Sequence, residues 1–116
     1  MSSEYPSGRT TISPEVLLTI ARMSALSVEG VHGLAPVPGG FGDLFKRGLA
    51  EGVRVQIENE MVYLDLHLVL NQGVNVREVS RNVQHQVSRS VSEMLGMEVG
   101  HVNIHIEDID YNNQKS

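Results

Sequence analysis

The sequence predicts an α+β fold, a two-layer sandwich in which two helices pack on one face of a mainly antiparallel sheet. Two segments carry apolar residues at the three- and four-residue spacing of helices, and three carry the alternation of half-buried strands. With a short strand near residues 9 to 12, the element order becomes βαββαβ. The 116 residues, 41% of them hydrophobic, suit a single domain with one core.

The first helix is predicted to run from about residue 14 to about residue 28. Ser13 can accept a backbone N–H as the N-cap, and Pro14 suits the first helical position, where its missing N–H costs nothing. Apolar side chains follow at helical spacing from Leu17, and Gly30 is a natural stop.

The Gly- and Pro-rich segment that begins at VHGL is predicted to be irregular, with a flexible loop over residues 34–51. Within it, Phe41, Leu44 and Phe45 have the spacing of one or two amphipathic helical turns. These three side chains either pack back onto the core or offer an apolar anchor to a protein partner. The sequence leaves both alternatives open.

Two strands, VRVQI and VYLDLHLVL, follow the loop, and the ENE between them suits a tight hairpin. A last strand, VGHVNIHIEDI, alternates in the same way. Each strand has one apolar face and one polar face, so we expect the helices to cover only one side of the sheet. The polar side is expected to carry Arg54, Gln56, Glu58, Tyr63, Asp65, His67, His101, Asn103 and His105.

The run GVNVREVSRNVQHQVSRSV is the second predicted helix, although valine is a poor helix former. Strand-like alternation fails after Val76, and the later valines recur every three or four residues. Asn75 is a favourable N-cap, Glu78 stands where a capping-box acid belongs, and the apolar stripe continues to Met94. Burial of each valine against a sheet contributes roughly 1.5 kcal/mol, which exceeds its small propensity cost.

The charge balance argues against several classes of partner. A net charge of −5 disfavours a broad nucleic-acid surface and direct docking on anionic lipid. The first residues lack a signal-peptide pattern, and no segment approaches the roughly 18 apolar residues of a membrane span. We therefore expect a cytoplasmic protein without direct membrane insertion, in which any link to the membrane would have to run through a partner or a short amphipathic element. The domain is predicted to cover residues 9–111, with disordered tails at 1–8 and 112–116.

No residues point to catalysis or to a cofactor. Cysteine is absent, no Ser/His/Asp set stands in a recognisable context, and GGFG lacks the Walker lysine pattern. His101 and His105 would lie ~13 Å apart on one strand, too far to share a metal ion, although the register could bring His67 close to one of them. We predict no enzyme, no metal site and no cofactor.

Two surfaces remain for protein contacts, the loop segment and the polar side of the sheet. The candidate partner-binding residues are Phe41, Leu44, Phe45, Arg54, Tyr63, His67, His101 and His105. Exposed strand edges also favour self-association. An RNA-binding accessory domain stays open as the alternative, because the element order resembles KH-type and RRM-type domains. Against it, only Tyr63 offers an aromatic ring on the sheet, and no GxxG joins two adjacent helices.

Three stretches carry a family resemblance: ISPEV with the later EGVHG, GVNVREVSRNVQ, and MLGMEVGHVNIHI. Over residues 10 to 110 the sequence resembles the bacterial alkaline-shock, envelope-stress-response family, long catalogued as a domain of unknown function. The resemblance implies a small, cytoplasmic, non-enzymatic protein linked to cell-envelope homeostasis or the stress response. Some members of that family self-associate and are held at the membrane by small membrane-anchored partners, so the resemblance extends to this chain the expectation of self-association and of a place at the inner face of the cell membrane through such a partner. No catalytic residues are implied.

Overall fold

The computed structural model describes residues 12–35, 49–50 and 52–111. In chain order the elements are α1 (Pro14–Leu26), β1 (Val31–Leu34), β2 (Leu49–Ala50), β3 (Val53–Glu58), β4 (Met61–Asn71), α2 (Val76–Leu95) and β5 (Glu98–Asp110). The predicted tails at 1–8 and 112–116 fall outside the described residues, as do Phe41, Leu44 and Phe45. The predicted loop over 34–51 lies mostly outside them as well.

The sheet is built around β4. One edge of β4 pairs along its whole length with β5, in parallel. The other edge is shared end to end by β3 and β1, both antiparallel, and β2 extends the sheet antiparallel to β3. Among the described strands only the β4–β5 pairing is parallel. The predicted α+β fold with a mainly antiparallel sheet is therefore confirmed.

The link between β3 and β4 is the hairpin that ENE predicts. Glu58 pairs with Met61, and the two residues between them, Asn59 and Glu60, have φ of 52° and 66°. Positive φ at both central residues is typical of a type I′ turn, whose twist matches that of the strands.

Both helices begin at their predicted caps. The Ser13 side chain accepts the Val16 N–H at 3.4 Å, and the Asn75 side chain accepts the Glu78 N–H at 3.0 Å. The first helix ends at Leu26, slightly before its predicted end. The second ends where Gly96 adopts the left-handed conformation, with φ of 68°.

The core lies between the two helices and the inner face of the sheet. The valine-rich run is a helix, as predicted, and its buried valines join β4 side chains in one apolar cluster: Val79, Val83, Val87 and Val91 with Val62, Leu64, Leu66, Leu68 and Leu70. The ends of the predicted stripe differ from the expectation. Val76 is 42% exposed and Met94 is 68% exposed, since both lie in the terminal turns of the helix.

The first described strand is not where the sequence predicts one. Residues 9–11 lie outside the described part of the chain, and Ile12 belongs to no strand. Instead β1 follows α1, in the VHGL segment that is expected to be irregular. Its four residues include Gly33 and pair only with the last residues of β4. Backbone pairing defines this strand, because so short a segment carries no side-chain alternation.

Candidate functional site: the open face of the sheet

The side of the sheet that faces away from the helices carries polar and aromatic side chains, as the sequence predicts. We define this open sheet face by Arg54 of β3, by Tyr63, Asp65 and His67 of β4, and by His101, Asn103, His105 and Glu107 of β5. The candidate partner-binding residues on this face come from three strands and lie up to 51 positions apart in the chain (105 − 54). The fold brings them together on one surface.

The register of the sheet orders these side chains into rows. Asp65 lies between Arg54 of β3 and Asn103 of β5. One row further along, His67 lies opposite His105. The sequence left this register open, so the structure supplies the pairing of the two histidines.

His67 and His105 form a stacked pair. Their ring centroids are 4.5 Å apart and the ring planes differ by 13°. The two rings differ in accessibility, because 12% of the His67 side chain is exposed against 45% of His105. The pair therefore presents one accessible imidazole that is supported by a covered one.

Each imidazole is bonded to its own carboxylate. His67 Nδ1 lies 2.6 Å from Glu107 Oε2, and His105 Nε2 lies 3.1 Å from Asp65 Oδ1. Asn103 Nδ2 donates to the same Asp65 oxygen at 3.1 Å. An ionised carboxylate can only accept a hydrogen bond, so each of these ring nitrogens is the donor. The bonds fix the orientation of both rings.

The surroundings of Asp65 favour its ionised form. Partial burial is the largest single influence and opposes ionisation of the carboxyl. Hydrogen bonds from His105 and Asn103, with electrostatic attraction to Arg54 and to the protonated form of His105, together outweigh it and hold the pKa of Asp65 below its ordinary value. Asp65 is thus an anionic hydrogen-bond acceptor in the middle of the face.

Tyr63 and His101 form a second ring contact on the same face. Their centroids are 4.8 Å apart and the planes are tilted by 56°. The Tyr63 ring lies directly over Gly100, where a Cβ atom would come within 2.2 Å of Tyr63 Cε1. Glycine at this position is what allows the ring to lie against the backbone of β5.

Two bulges in β5 determine which of its side chains reach the open sheet face. The β4–β5 register steps over Gly100 and again over Glu107. Beyond the second step Ile109 pairs with Leu70 and packs against the core, while the Glu107 side chain reaches His67. Sequence reasoning left out Glu107, although the alternation of His101, Asn103 and His105 continues to it, because the predicted polar side of β5 ended at His105.

The histidines and carboxylates of the open sheet face are engaged with one another. In the part of the chain that the structure describes, no three His, Asp or Glu side chains are grouped to hold one. His101 contacts Tyr63, whereas His105 stacks on His67, and the nearby carboxylates are engaged one to a ring. What the face offers is a fixed set of donors, acceptors and ring surfaces.

Comparisons with known proteins point to the family that the motifs resemble. The model of the alkaline shock protein 23 family, described as having a cell envelope-related function, matches residues 2–111. The uncharacterized protein Spy1535 of Streptococcus pyogenes serotype M6 is 39% identical over 111 residues, which cover 94% of this chain and 84% of that protein. The uncharacterized protein YloU of Bacillus subtilis is 29% identical over 110 residues, covering 91% and 92%.

Solved structures of the MamM CTD share the fold. A single-site variant of that domain matches with a TM-score of 0.54 and 12% identity, covering 85% of this chain and 100% of the other. Its copper form matches with a TM-score of 0.53 and 12% identity, covering 88% and 92%. At this identity the likeness concerns the fold alone. Among the helices described for this chain, none is long and apolar enough to cross a bilayer.

Proposed function

The chain belongs to the alkaline shock protein 23 family, and from this premise we propose that it is a non-enzymatic adaptor or scaffold protein in cell-envelope homeostasis or the stress response. It acts by protein–protein association, with the open sheet face as the partner-binding surface. The cell envelope-related function of the family supports a role in the cell envelope. The fixed polar and aromatic side chains of the open sheet face support protein–protein association.

The observation that carries the proposal is that the side chains of the open sheet face are already held in place. Two ring contacts and three side-chain hydrogen bonds link residues of β4 and β5. Ordering a free side chain at an interface costs about 0.5–1.5 kcal/mol, and a side chain that is ordered beforehand avoids that cost. Contact with water alone would not explain why a histidine side chain on this face is only 12% exposed, as that of His67 is.

The composition of the face suits a protein partner better than RNA. Tyrosine and arginine, which dominate binding energy at protein interfaces, are present as Tyr63 and Arg54. The Asp65 and Glu107 carboxylates lie in the same network, and they would repel a phosphate backbone. The partner is expected to present a polar surface with hydrogen-bonding groups of both kinds.

The proposal places the protein in the cytoplasm, at the inner face of the membrane through a membrane-anchored partner, and includes self-association. Light scattering across a concentration series tests self-association. We expect masses above the 12.8 kDa of one chain as concentration rises. A strict monomer at the highest concentration would remove self-association from the proposal and leave the adaptor role.

Photo-crosslinking in the native cell tests the surface itself. A photoreactive amino acid replaces Asn103, which is exposed in the middle of the face, or Arg22, which is exposed on α1 in the other layer. We expect discrete protein adducts from position 103 and none of comparable yield from position 22. Equal adducts at both positions, or none at 103, would contradict the proposal. An adduct at 103 that ribonuclease removes would establish the RNA-binding alternative instead.

A further inference from the structure

A row of basic side chains runs along the solvent-facing side of α2. Arg77, Arg81, His85 and Arg89 are spaced four residues apart, and all four are exposed. At 1.5 Å per residue, neighbours in the row are separated by ~6 Å along the helix axis. We name these four residues the α2 basic stripe. It lies in the helix layer, on the opposite side of the molecule from the open sheet face.

The two arginines at the N-terminal end of the stripe, Arg77 and Arg81, are not arranged to stabilise the helix. Arg77 lies in the first turn, where the helix dipole favours an anion, and the last turn carries no basic residue, although cations stabilise that end. Arg77 and Arg81 are like charges at i and i+4, which weakens a helix. Helix stability therefore does not explain these two arginines.

Few carboxylates among the described residues neutralise the stripe. Arg89 Nε lies 3.2 Å from Glu93 Oε2. Within the residues that the structure describes, no carboxylate forms an ion pair with Arg77 or Arg81. In a molecule with a net charge of −5, the two arginines outnumber the one carboxylate in the N-terminal half of α2, Glu78, and leave a local excess of positive charge there.

A second row, of uncharged polar side chains, lies beside the first: Ser80, Gln84, Ser88 and Ser92. Two open depressions follow these rows, one around Arg77, Ser80 and Arg81 and one between Ser88, Arg89 and β5. Glu98 borders the second depression, so the first is the more cationic.

Gln84 Nε2 donates to the Val102 carbonyl at 2.9 Å and ties this side of α2 to β5. Serine hydroxyls beside guanidinium groups suit carboxylate binding, and their small size permits close approach.

We propose that the α2 basic stripe, centred on Arg77 and Arg81, binds an acidic peptide segment of a partner protein. Carboxylates four residues apart on a helix repeat at the same ~6 Å interval as the stripe. This surface is separate from the open sheet face, so the protein can hold two partners on opposite sides. Binding here does not depend on the function proposed for the open sheet face.

The charge of the whole molecule favours a short acidic segment over other polyanions. A membrane rich in anionic lipid or a long nucleic acid acts on the entire chain, whose net charge of −5 opposes approach. The stripe also carries no tyrosine, phenylalanine or tryptophan on which nucleotide bases could stack. A short peptide senses mainly the local charge, because screening limits the range of electrostatic attraction to about 10 Å at 0.1 M salt.

Fluorescence anisotropy with a labelled synthetic peptide tests the proposal. The peptide has about 20 residues, enough for the ~30 Å length of α2, with glutamate at every fourth position. A second peptide has glutamine at those positions. The variants are Arg81→Gln and, as the matched control, Arg22→Gln, which removes the same charge from an exposed site on α1. Circular dichroism of both variants verifies that the helices are intact.

We expect saturable binding of the glutamate peptide, weakened about tenfold by Arg81→Gln, as loss of a charge-assisted hydrogen bond implies. Arg22→Gln should leave the affinity unchanged, and the glutamine peptide should not bind. Equal weakening by both variants would show only a response to net charge and would overturn the proposal. Tighter binding to anionic vesicles or to a single-stranded oligonucleotide than to the glutamate peptide would overturn it as well.

Discussion

Gly100 is the position where one added methyl group tests the packing of the open sheet face. A Cβ atom there would lie 2.2 Å from Tyr63 Cε1 and 2.8 Å from Tyr63 Cδ1, whereas carbon atoms pack at about 3.5–4.0 Å. The ring would have to swing away and lose its contact with His101. Overpacking of this kind costs about 1–3 kcal/mol, so we expect Gly100→Ala to lower the free energy of unfolding by roughly 2 kcal/mol. Equilibrium urea unfolding, followed by circular dichroism, measures this change.

A double-mutant cycle isolates the contact with the ring. In a Tyr63→Ala background the added methyl has room, and Gly100→Ala should then cost less than about 0.5 kcal/mol. Gly33→Ala is the matched control, because no atom lies within 4 Å of a Cβ placed there. An equal loss of stability in both backgrounds would refute the reasoning, since the methyl group would then be meeting something other than Tyr63.

Three further predictions concern the core, the open sheet face and α2. Val83→Asp places a charge at a fully buried site and should unfold the domain by circular dichroism, whereas Val76→Asp, at a position 42% exposed, should stay folded; a cooperatively folded V83D protein would contradict the packing of α2. The folded pKa of Asp65 is below its ordinary 3.8, so the ionised carboxylate adds stability that is present above about that pH and is lost as the pH falls through the folded value. In urea unfolding, Asp65→Asn should reduce the fall in the free energy of unfolding at acid pH. An unchanged fall would show that the bonds to Asp65 add no stability. Arg77→Glu replaces a cation by an anion in the first turn of α2 and should raise stability by about 0.3–1 kcal/mol; a lower melting temperature in calorimetry would contradict the dipole argument.

The elements that local chemistry specifies could be predicted from the sequence. The second helix follows from the Asn75 cap and the spacing of its valines, and the β3–β4 hairpin follows from a short polar link between two alternating strands. Alternation also assigned Tyr63, His67 and His105 to the polar side of the sheet, because side chains of a strand alternate between its faces.

The features that depend on pairing between distant strands could not be predicted. The stacking of His67 on His105 and the bond between His67 and Glu107 both require the β4–β5 register. The β1 strand exists because the end of β4 has a free backbone edge, which no pattern within VHGL reveals. The roles proposed for Phe41, Leu44 and Phe45 stay predictions, since these residues lie outside the described part of the chain.

The affinity of the crosslinked partner for variants of the open sheet face tests the adaptor proposal most directly. The protein recovered through position 103 is purified and titrated calorimetrically against the wild type, His105→Ala and Arg22→Ala. His105 is the accessible ring of the stacked pair, and loss of a central interface side chain costs about 2 kcal/mol, or more than tenfold in affinity. We expect that loss for His105→Ala and wild-type affinity for Arg22→Ala. Wild-type affinity for His105→Ala together with weakened binding for Arg22→Ala would show that the partner binds the helix layer instead.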